Sequence, residues 1–157
     1  MPTHAILVTY RDMLTGVLPE FTTKAEGKYG DRFKRLYFDS AALKGELYDA
    51  VKSTPASDKL KIYISGHGGT GVQYITNDAQ NRKQTVDDLA RLLYFGLSRR
   101  ATSWAASSNT EVNMVSCLFG RTPDGRLEGS PAVLLHRKLA TWGVYVDLVA
   151  RTEYPSY

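Results

Sequence analysis

The chain carries the stretch LKIYISGHGGTG at residues 60–71, in which a short apolar run leads into a glycine-rich segment around His67. A short apolar run of this kind predicts a strand buried in a parallel sheet. Further apolar runs lie at 5–10 (AILVTY), 35–38 (RLYF), 112–116 (VNMVS) and 144–150 (VYVDLVA), and helical patterns lie near 40–53, 85–98 and 130–142. The alternation of strands and helices predicts an α/β fold with an open, mostly parallel sheet of about five or six strands and helices on both faces.

The chain length predicts one domain that spans residues 1–157, because 157 residues with 43% hydrophobic content suit a single core. Two polar, glycine-dotted stretches are predicted as loops. The first, 11–33, contains a short helix at 23–29, and the second, 71–84, contains a hairpin strand in VQYIT. Thr85, with an acidic residue three positions later, and Ser130-Pro131 predict the starts of two helices.

Charge and cysteine content exclude several classes of protein. The net charge is only +4 and the basic residues are scattered, so we expect no nucleic-acid partner. No apolar segment is long enough to span a bilayer, and the N-terminus has no signal-peptide pattern, so we expect no membrane partner and a cytoplasmic location. The single cysteine, Cys117, excludes an internal disulfide and every multi-cysteine zinc motif, which is typical of a reducing compartment. We expect neither a metal nor a cofactor.

The glycines at 66, 68 and 71 match the pattern G-x-G-x-x-G. A dinucleotide-binding loop of this pattern opens a helix, whose N-terminus holds the pyrophosphate. Here β-forming and polar residues follow, and no helical pattern starts until about Thr85. An acidic residue at the end of a following strand and a Gly-Lys-Ser/Thr sequence are also missing. The sequence therefore argues against nucleotide binding.

A second interpretation of the glycines rests on His67 and Cys117, each of which follows a predicted buried strand. The carboxyl ends of neighbouring parallel strands lie at one edge of a sheet, so the two side chains are expected to meet there. An imidazole beside a thiol takes its proton and makes it a nucleophile. The amides of Gly68 and Cys117 are candidates to bind a developing oxyanion.

Two other interpretations of these residues stay open. A lone cysteine is commonly an inert buried side chain, and a histidine near glycines is commonly a loop residue. The alternative to an enzyme is therefore a non-catalytic binding or scaffolding module with the same fold. Arg11 and Asp12 follow the first strand at the same edge, where each either lines a substrate groove or lies on the surface.

The segments IYISGHGG and VNMVSCLFG resemble the caspase-like cysteine peptidases, a group that includes caspases, legumains, clostripain, gingipains and the self-processing peptidase domains of large bacterial toxins. In that group an apolar strand ends in His-Gly and a later strand ends in the catalytic cysteine, about 50 residues on in caspases. The resemblance implies an endopeptidase with a dyad of His67 and Cys117, in which a backbone carbonyl holds the imidazole. The Gln-Ala-Cys form of caspases is not present.

Residues 60–152 look most similar to the toxin peptidase domains. That similarity implies a toxin or effector protease that cuts a polypeptide in cis or in trans, in the host cytosol if the protein is secreted. It also implies that Asp147 and Glu153 border the specificity pocket. Val115 and Ser116 precede the cysteine, and an apolar wall there favours leucine before the cleaved bond.

Inositol hexakisphosphate is a further partner that the resemblance implies. The toxin domains continue into a basic β-flap that senses this ligand. The sequence ends at Tyr157, where little of such a flap fits, so we do not expect this ligand to activate the protein.

Overall fold

The computed structural model describes residues 2–14, 18–68, 73–100, 109–115 and 130–150. The strands are β1 (Thr3–Thr9), β2 (Phe33–Tyr37), β3 (Lys59–Ser65), β4 (Tyr74–Thr76), β5 (Lys83–Thr85), β6 (Thr110–Val115) and β7 (Asp147–Ala150). The helices are α1 (Leu18–Tyr29), α2 (Leu43–Lys52), α3 (Val86–Leu97) and α4 (Pro131–Thr141), and a short 3-10 helix covers Gly30–Arg32. The predicted alternation of strands and helices is confirmed.

Five strands form one sheet in the order β2-β1-β3-β6-β7, and all of its neighbouring strands are parallel. The predicted open α/β sheet is therefore confirmed. β3 lies in the centre, and its Ile62 pairs with Ile6 of β1 on one side and with Val112 of β6 on the other. β4 and β5 form a separate antiparallel pair, so the predicted hairpin strand in VQYIT is present.

The sheet buries side chains on both faces, which explains the continuous apolar runs of its strands. On one face Ile62 and Ile64 belong to a core that includes residues of α2, α3 and α4. On the other face Tyr63 packs in a second core with residues of α1. The prediction of helices on both faces is confirmed.

Local capping signals start two of the helices where the sequence predicts. Thr85 Oγ1 accepts a hydrogen bond from the Asp88 amide at 3.1 Å, and the Asp88 carboxylate accepts one from the Thr85 amide at 3.0 Å. This capping box satisfies two amides that the helix itself leaves unbonded. Ser130 Oγ caps α4 through the amide of Val133, with Pro131 in the first turn.

The structure corrects two predicted elements. The stretch 11–33, predicted as loop with a helix at 23–29, contains a helix that already begins at Leu18. Its buried stripe consists only of Leu18, Ala25 and Tyr29, and the polar residues between them weaken the periodicity. The last strand, predicted at 144–150, covers only Asp147–Ala150. The preceding Val144 and Val146 are buried in the core and do not pair in the sheet.

Within the described ranges, none of the helices has both the length and the apolar character needed to cross a membrane.

Candidate active site

His67 lies two residues beyond β3, at the carboxyl edge of the sheet. Its backbone pairs with Thr76 of β4, and the two amides donate to the opposite carbonyls at 2.8 and 2.9 Å. Gly66 permits this close approach, because a Cβ atom at Gly66 would lie 2.9 Å from Cβ of Ile75. This glycine therefore serves the packing of the β4–β5 hairpin against the end of β3.

The hairpin brings a carboxylate to the imidazole. Asp78 Oδ1 lies 2.6 Å from Nε2 of His67, and Asp78 Oδ2 accepts a hydrogen bond from the backbone amide of Leu14 at 3.0 Å. The side chains of His67 and Asp78 are 37% and 20% exposed, so solvent still reaches the ring. The expectation that a backbone carbonyl holds the imidazole is replaced by a side-chain carboxylate in the structure.

Asn77 fixes the turn that carries Asp78. Its buried side chain accepts hydrogen bonds from the amides of Asn81 and Arg82, both at 3.1 Å. Its amide nitrogen donates to Asp12 Oδ2 at 2.9 Å and to Asn81 Oδ1 at 2.7 Å. The four hydrogen bonds use the full capacity of the amide group. Asp78 is thereby held on a rigid turn that is also tied to the loop after β1.

Two buried polar groups lie close to the β4–β5 hairpin. Within the described part of the chain, Asp12 Oδ1 is buried and has no hydrogen-bond partner. The phenol of Tyr10 is also buried and donates a long hydrogen bond of 3.5 Å to the Ile75 carbonyl. Burial, and then the negative charge of Asp39, raise the pKa of this phenol well above its usual range. Tyr10 is therefore a neutral structural group.

The strand beside β3 leads towards the predicted nucleophile. Ser65, the last residue of β3, pairs with Val115, the last residue of β6. His67 and Cys117 each follow one of these paired residues by two positions in the sequence. Cys117 itself, together with Ser116 and Glu153, lies outside the described residues. The predicted adjacency of the two strands is confirmed.

The structure separates other predicted site residues from His67. Arg11 lies over the ring of Tyr37, with its guanidinium 3.9 Å from Asp39, so it faces the β2 side of β1. Asp147 pairs with Glu111 at the amino end of β6, four residues before Val115. At a rise of about 3.3 Å per residue, Asp147 is about 13 Å from the edge where β6 ends.

Val115 does not form an accessible wall either. Its side chain is 3% exposed and packs with Tyr63 in the core beneath α1. Gly68 directly follows His67 and is half-buried, and the role of its amide in binding an oxyanion stays a prediction. The expected preference for leucine consequently loses its support from Val115 and rests on the resemblance alone.

A groove of about 310 Å³ lies between the loop after β1, the start of α1 and the end of β2, and neither His67 nor Asp78 belongs to its described lining. Its lining includes Met13, Leu14 and Leu18. Leu14 also donates its backbone amide to Asp78, so one residue is shared between the groove and the site. Arg11 lines this groove on the β2 side, away from His67, so its role in a substrate groove stays a prediction.

The described residues include no group of three or more His, Cys, Asp or Glu side chains arranged to hold a metal ion. No protein-family model matches the sequence, and a search of curated proteins finds no match.

Asp78 is the site residue that the sequence analysis missed. It lies 11 residues after His67, in the polar segment NDAQNR that follows a short β-forming run. A strand that folds back beside the glycine segment brings the following turn to the histidine. The short β-forming run was the only sequence signal for this contact, but the sequence did not show which segment that run pairs with.

Proposed function

We propose that this chain is a cysteine endopeptidase, in which His67 and Cys117 form the catalytic dyad and Asp78 positions His67. The observation that carries the proposal is the 2.6 Å contact between His67 and Asp78 at the end of β3, directly beside the strand that leads to Cys117. A nucleophile, a base and a group that orients the base are the recurring parts of a hydrolase that acts through a covalent intermediate.

The contact determines which ring nitrogen serves the thiol. When Nε2 carries a proton and donates it to the Asp78 carboxylate, Nδ1 has a lone pair and accepts the proton of the Cys117 thiol. The thiolate then attacks the carbonyl carbon of the substrate, and the electron pair of the carbonyl moves onto its oxygen. The amides of Gly68 and Cys117 bind that oxyanion.

The second half of the reaction returns the proton. The imidazolium gives its proton to the leaving amine as the peptide C–N bond breaks, which leaves a thioester on Cys117. His67 next takes a proton from water, and the resulting hydroxide attacks the thioester carbonyl and expels the Cys117 thiolate with the acid product. The imidazolium then returns its proton to the thiolate, which restores the free thiol and the neutral imidazole. The negative charge of Asp78 stabilises the imidazolium that forms in both steps.

The substrate class rests on the resemblance to the toxin peptidase domains. That resemblance supports a toxin or effector protease that processes its own chain or another polypeptide. Catalytically inactive protein, added as a substrate to active protein, distinguishes cleavage in trans from cleavage in cis.

The chain contains a matched control for the site. His4 and Asp58 form a second histidine–carboxylate pair, with Nε2 of His4 3.0 Å from Asp58 Oδ2. His4 is the second residue of β1, and Asp58 immediately precedes β3, so this pair lies at the amino edge of the sheet. It has the same chemistry as the His67–Asp78 pair but lies at the opposite edge.

The test is cleavage of a peptide library, read by mass spectrometry, for the wild type and five variants. Cys117→Ala and His67→Ala are expected to abolish cleavage, each nearly as completely as the double change, because the dyad acts as a unit. Asp78→Asn is expected to lower kcat by about 10- to 100-fold, with a smaller effect on KM, since Asp78 acts through His67. His4→Ala is expected to retain wild-type kcat.

Thiol labelling separates the enzyme from a non-catalytic binding module. A dyad cysteine reacts with iodoacetamide faster in the wild type than in His67→Ala, whereas a cysteine that is not activated reacts at equal rates in both. Equal labelling rates, or full cleavage by Cys117→Ala, would refute the proposed function.

A further inference from the structure

A second cleft lies between α2 and α3, at the amino edge of the sheet. It has a volume of about 470 Å³ and its rim includes the segments that lead into β3 and β6, namely 54–56 and Asn109. Gly96 forms part of its wall, and a Cβ atom there would lie 2.8 Å from Cδ2 of Leu47. The candidate active site is at the opposite edge, where the same strands end.

The cleft is positively charged. Its described lining includes the cations Lys52, Arg99 and Arg100 and no carboxylate. Arg100 is held below the rim by hydrogen bonds to neutral oxygen atoms, those of Thr54, Pro55, Asp58, Asn109 and Thr110. These bonds fix the guanidinium, and the nearby carboxylate of Asp58 offsets part of its charge, so Lys52 and Arg99 supply most of the positive potential inside the cleft.

Two pairs of aromatic side chains, together called the aromatic row, lie on α2, α3 and the end of α4, and the first pair begins at the cleft. Tyr48 lines the cleft and its ring is 5.8 Å from that of Phe95, and Tyr94 is 5.5 Å from Trp142 at the end of α4. The exposed fractions of Phe95, Tyr94 and Trp142 are 46%, 44% and 38%. Aromatic groups that are exposed together in this way are typical of protein-binding surfaces.

The unpaired positive charge of this face lies at its cleft end. Arg99 lies 5.9 Å from the ring of Tyr48, whereas Lys138, 5.5 Å from the ring of Trp142, forms an ion pair with Asp87. Two copies of this face packed together at the cleft would bring the cations of both clefts into contact, which disfavours a homodimer. A partner with carboxylates complements the charge of this face. The apolar side chains of that partner cover the aromatic row.

We propose that the α2–α3 cleft and its aromatic row form a docking site for an acidic peptide segment of a partner protein. A carboxylate of the segment enters the cleft beside Lys52 and Arg99, and its apolar residues lie on Phe95 and Tyr94. A small anion would use only the cleft, whereas a peptide also covers the row that extends from it. The site is distinct from the His67 edge and does not depend on the proposed peptidase activity.

Fluorescence anisotropy with a set of labelled 12-residue peptides tests the proposal. One group of peptides mixes Asp and Glu with Phe and Leu in varied order, a second replaces the acids by Asn and Gln, and a third replaces the apolar residues by Ser. We expect saturable binding for the first group, with an affinity that falls as salt is added. The other two groups are expected to bind at least about tenfold more weakly, which corresponds to about 1.4 kcal/mol.

Variants of the protein locate the binding. Arg99→Glu and Phe95→Ala are expected to weaken binding of the first group by about tenfold and fivefold. Lys28→Glu is the matched control, since Lys28 lies 5.3 Å from the ring of Tyr29 on α1, which packs on the other face of the sheet. This variant makes the same change in charge and is expected to bind within about twofold of the wild type. Thermal unfolding confirms that all three variants fold.

Four results would overturn the proposal. They are the absence of binding by every acidic apolar peptide, equal binding by the neutral peptides, and equal weakening by Lys28→Glu. The fourth is complete competition by glutamate or inorganic phosphate at the concentration of the peptide, which would show a site for small anions only.

Discussion

Gly66→Ala perturbs the contact that places the β4–β5 hairpin on the end of β3. The new Cβ would lie 2.9 Å from Cβ, 3.0 Å from Cδ1 and 3.2 Å from Cγ1 of Ile75. Ile75 is fully buried in the core on the α2–α4 side, so it has no free space into which to move. The hairpin itself must therefore shift away from the sheet.

The expected cost combines two opposing effects. Forcing an extra methyl group into a packed core costs about 1–3 kcal/mol. Replacement of glycine by alanine restricts the unfolded chain and returns about 0.4–1 kcal/mol, since Gly66 does not have a positive φ that alanine would strain. We expect a net loss of about 1–2 kcal/mol in the free energy of unfolding, or roughly 3–6 °C in Tm for a chain of this size.

Urea unfolding measures the loss, and hydrogen exchange locates it. The amides of His67 and Thr76 are expected to exchange faster in Gly66→Ala, because the two hydrogen bonds between these residues weaken. Gly27→Ala is the control, since an added Cβ at this position in α1 meets no atom within 4 Å. That variant is expected to be more stable than the wild type by about 0.5–1 kcal/mol. A Gly66→Ala protein as stable as Gly27→Ala, with unchanged exchange at His67, would refute the reasoning.

Three further predictions concern stability and specificity. Because the pKa of Tyr10 is raised in the folded protein above its ordinary value of 10.0, the unfolded chain loses this proton first, and the contribution of the neutral phenol is lost as the pH rises above about 10. Urea unfolding should therefore show a smaller loss of stability between about pH 9 and 11 in Tyr10→Phe than in the wild type, and parallel curves would contradict this. Thr85→Ala removes the capping box of α3 and is expected to cost about 1 kcal/mol in urea unfolding, whereas an unchanged midpoint would argue against that role. Peptide profiling is expected to show leucine or a similar apolar residue before the cleaved bond, and a tenfold preference for Arg, Lys or Asp would contradict it.

The sequence alone predicts the fold class because the relevant signals are local. The central strands are short and apolar on both faces, and this pattern arises when helices cover both sides of a parallel sheet. Thr85 and Ser130 mark helix starts because each caps amides within its own first turn. α1 was predicted too short because only three of its residues are buried on the sheet.

The candidate site was also predictable from the sequence only in part. His67 and its position after a buried strand were predicted from the sequence, and the pairing of β3 with β6 was expected from their similar patterns. The removal of Val115 and Asp147 from the site required the structure. Val115 is buried by packing, and Asp147 lies at the amino edge because of the register of β7 on β6. No local sequence pattern specifies either of these.

The sequence by itself thus determines the alternation of strands and helices. It also places one histidine and one cysteine after predicted strands. Only the tertiary structure decided that Asp78 holds His67, because this contact requires Thr76 to pair with His67 and the amide of Leu14, 64 residues earlier in the chain, to bind the same carboxylate. Each of these contacts depends on which segments become neighbours when the core forms. A polar residue on a short turn carries no local signal of its partner, since its hydrogen bonds are made only after the hydrophobic elements have packed.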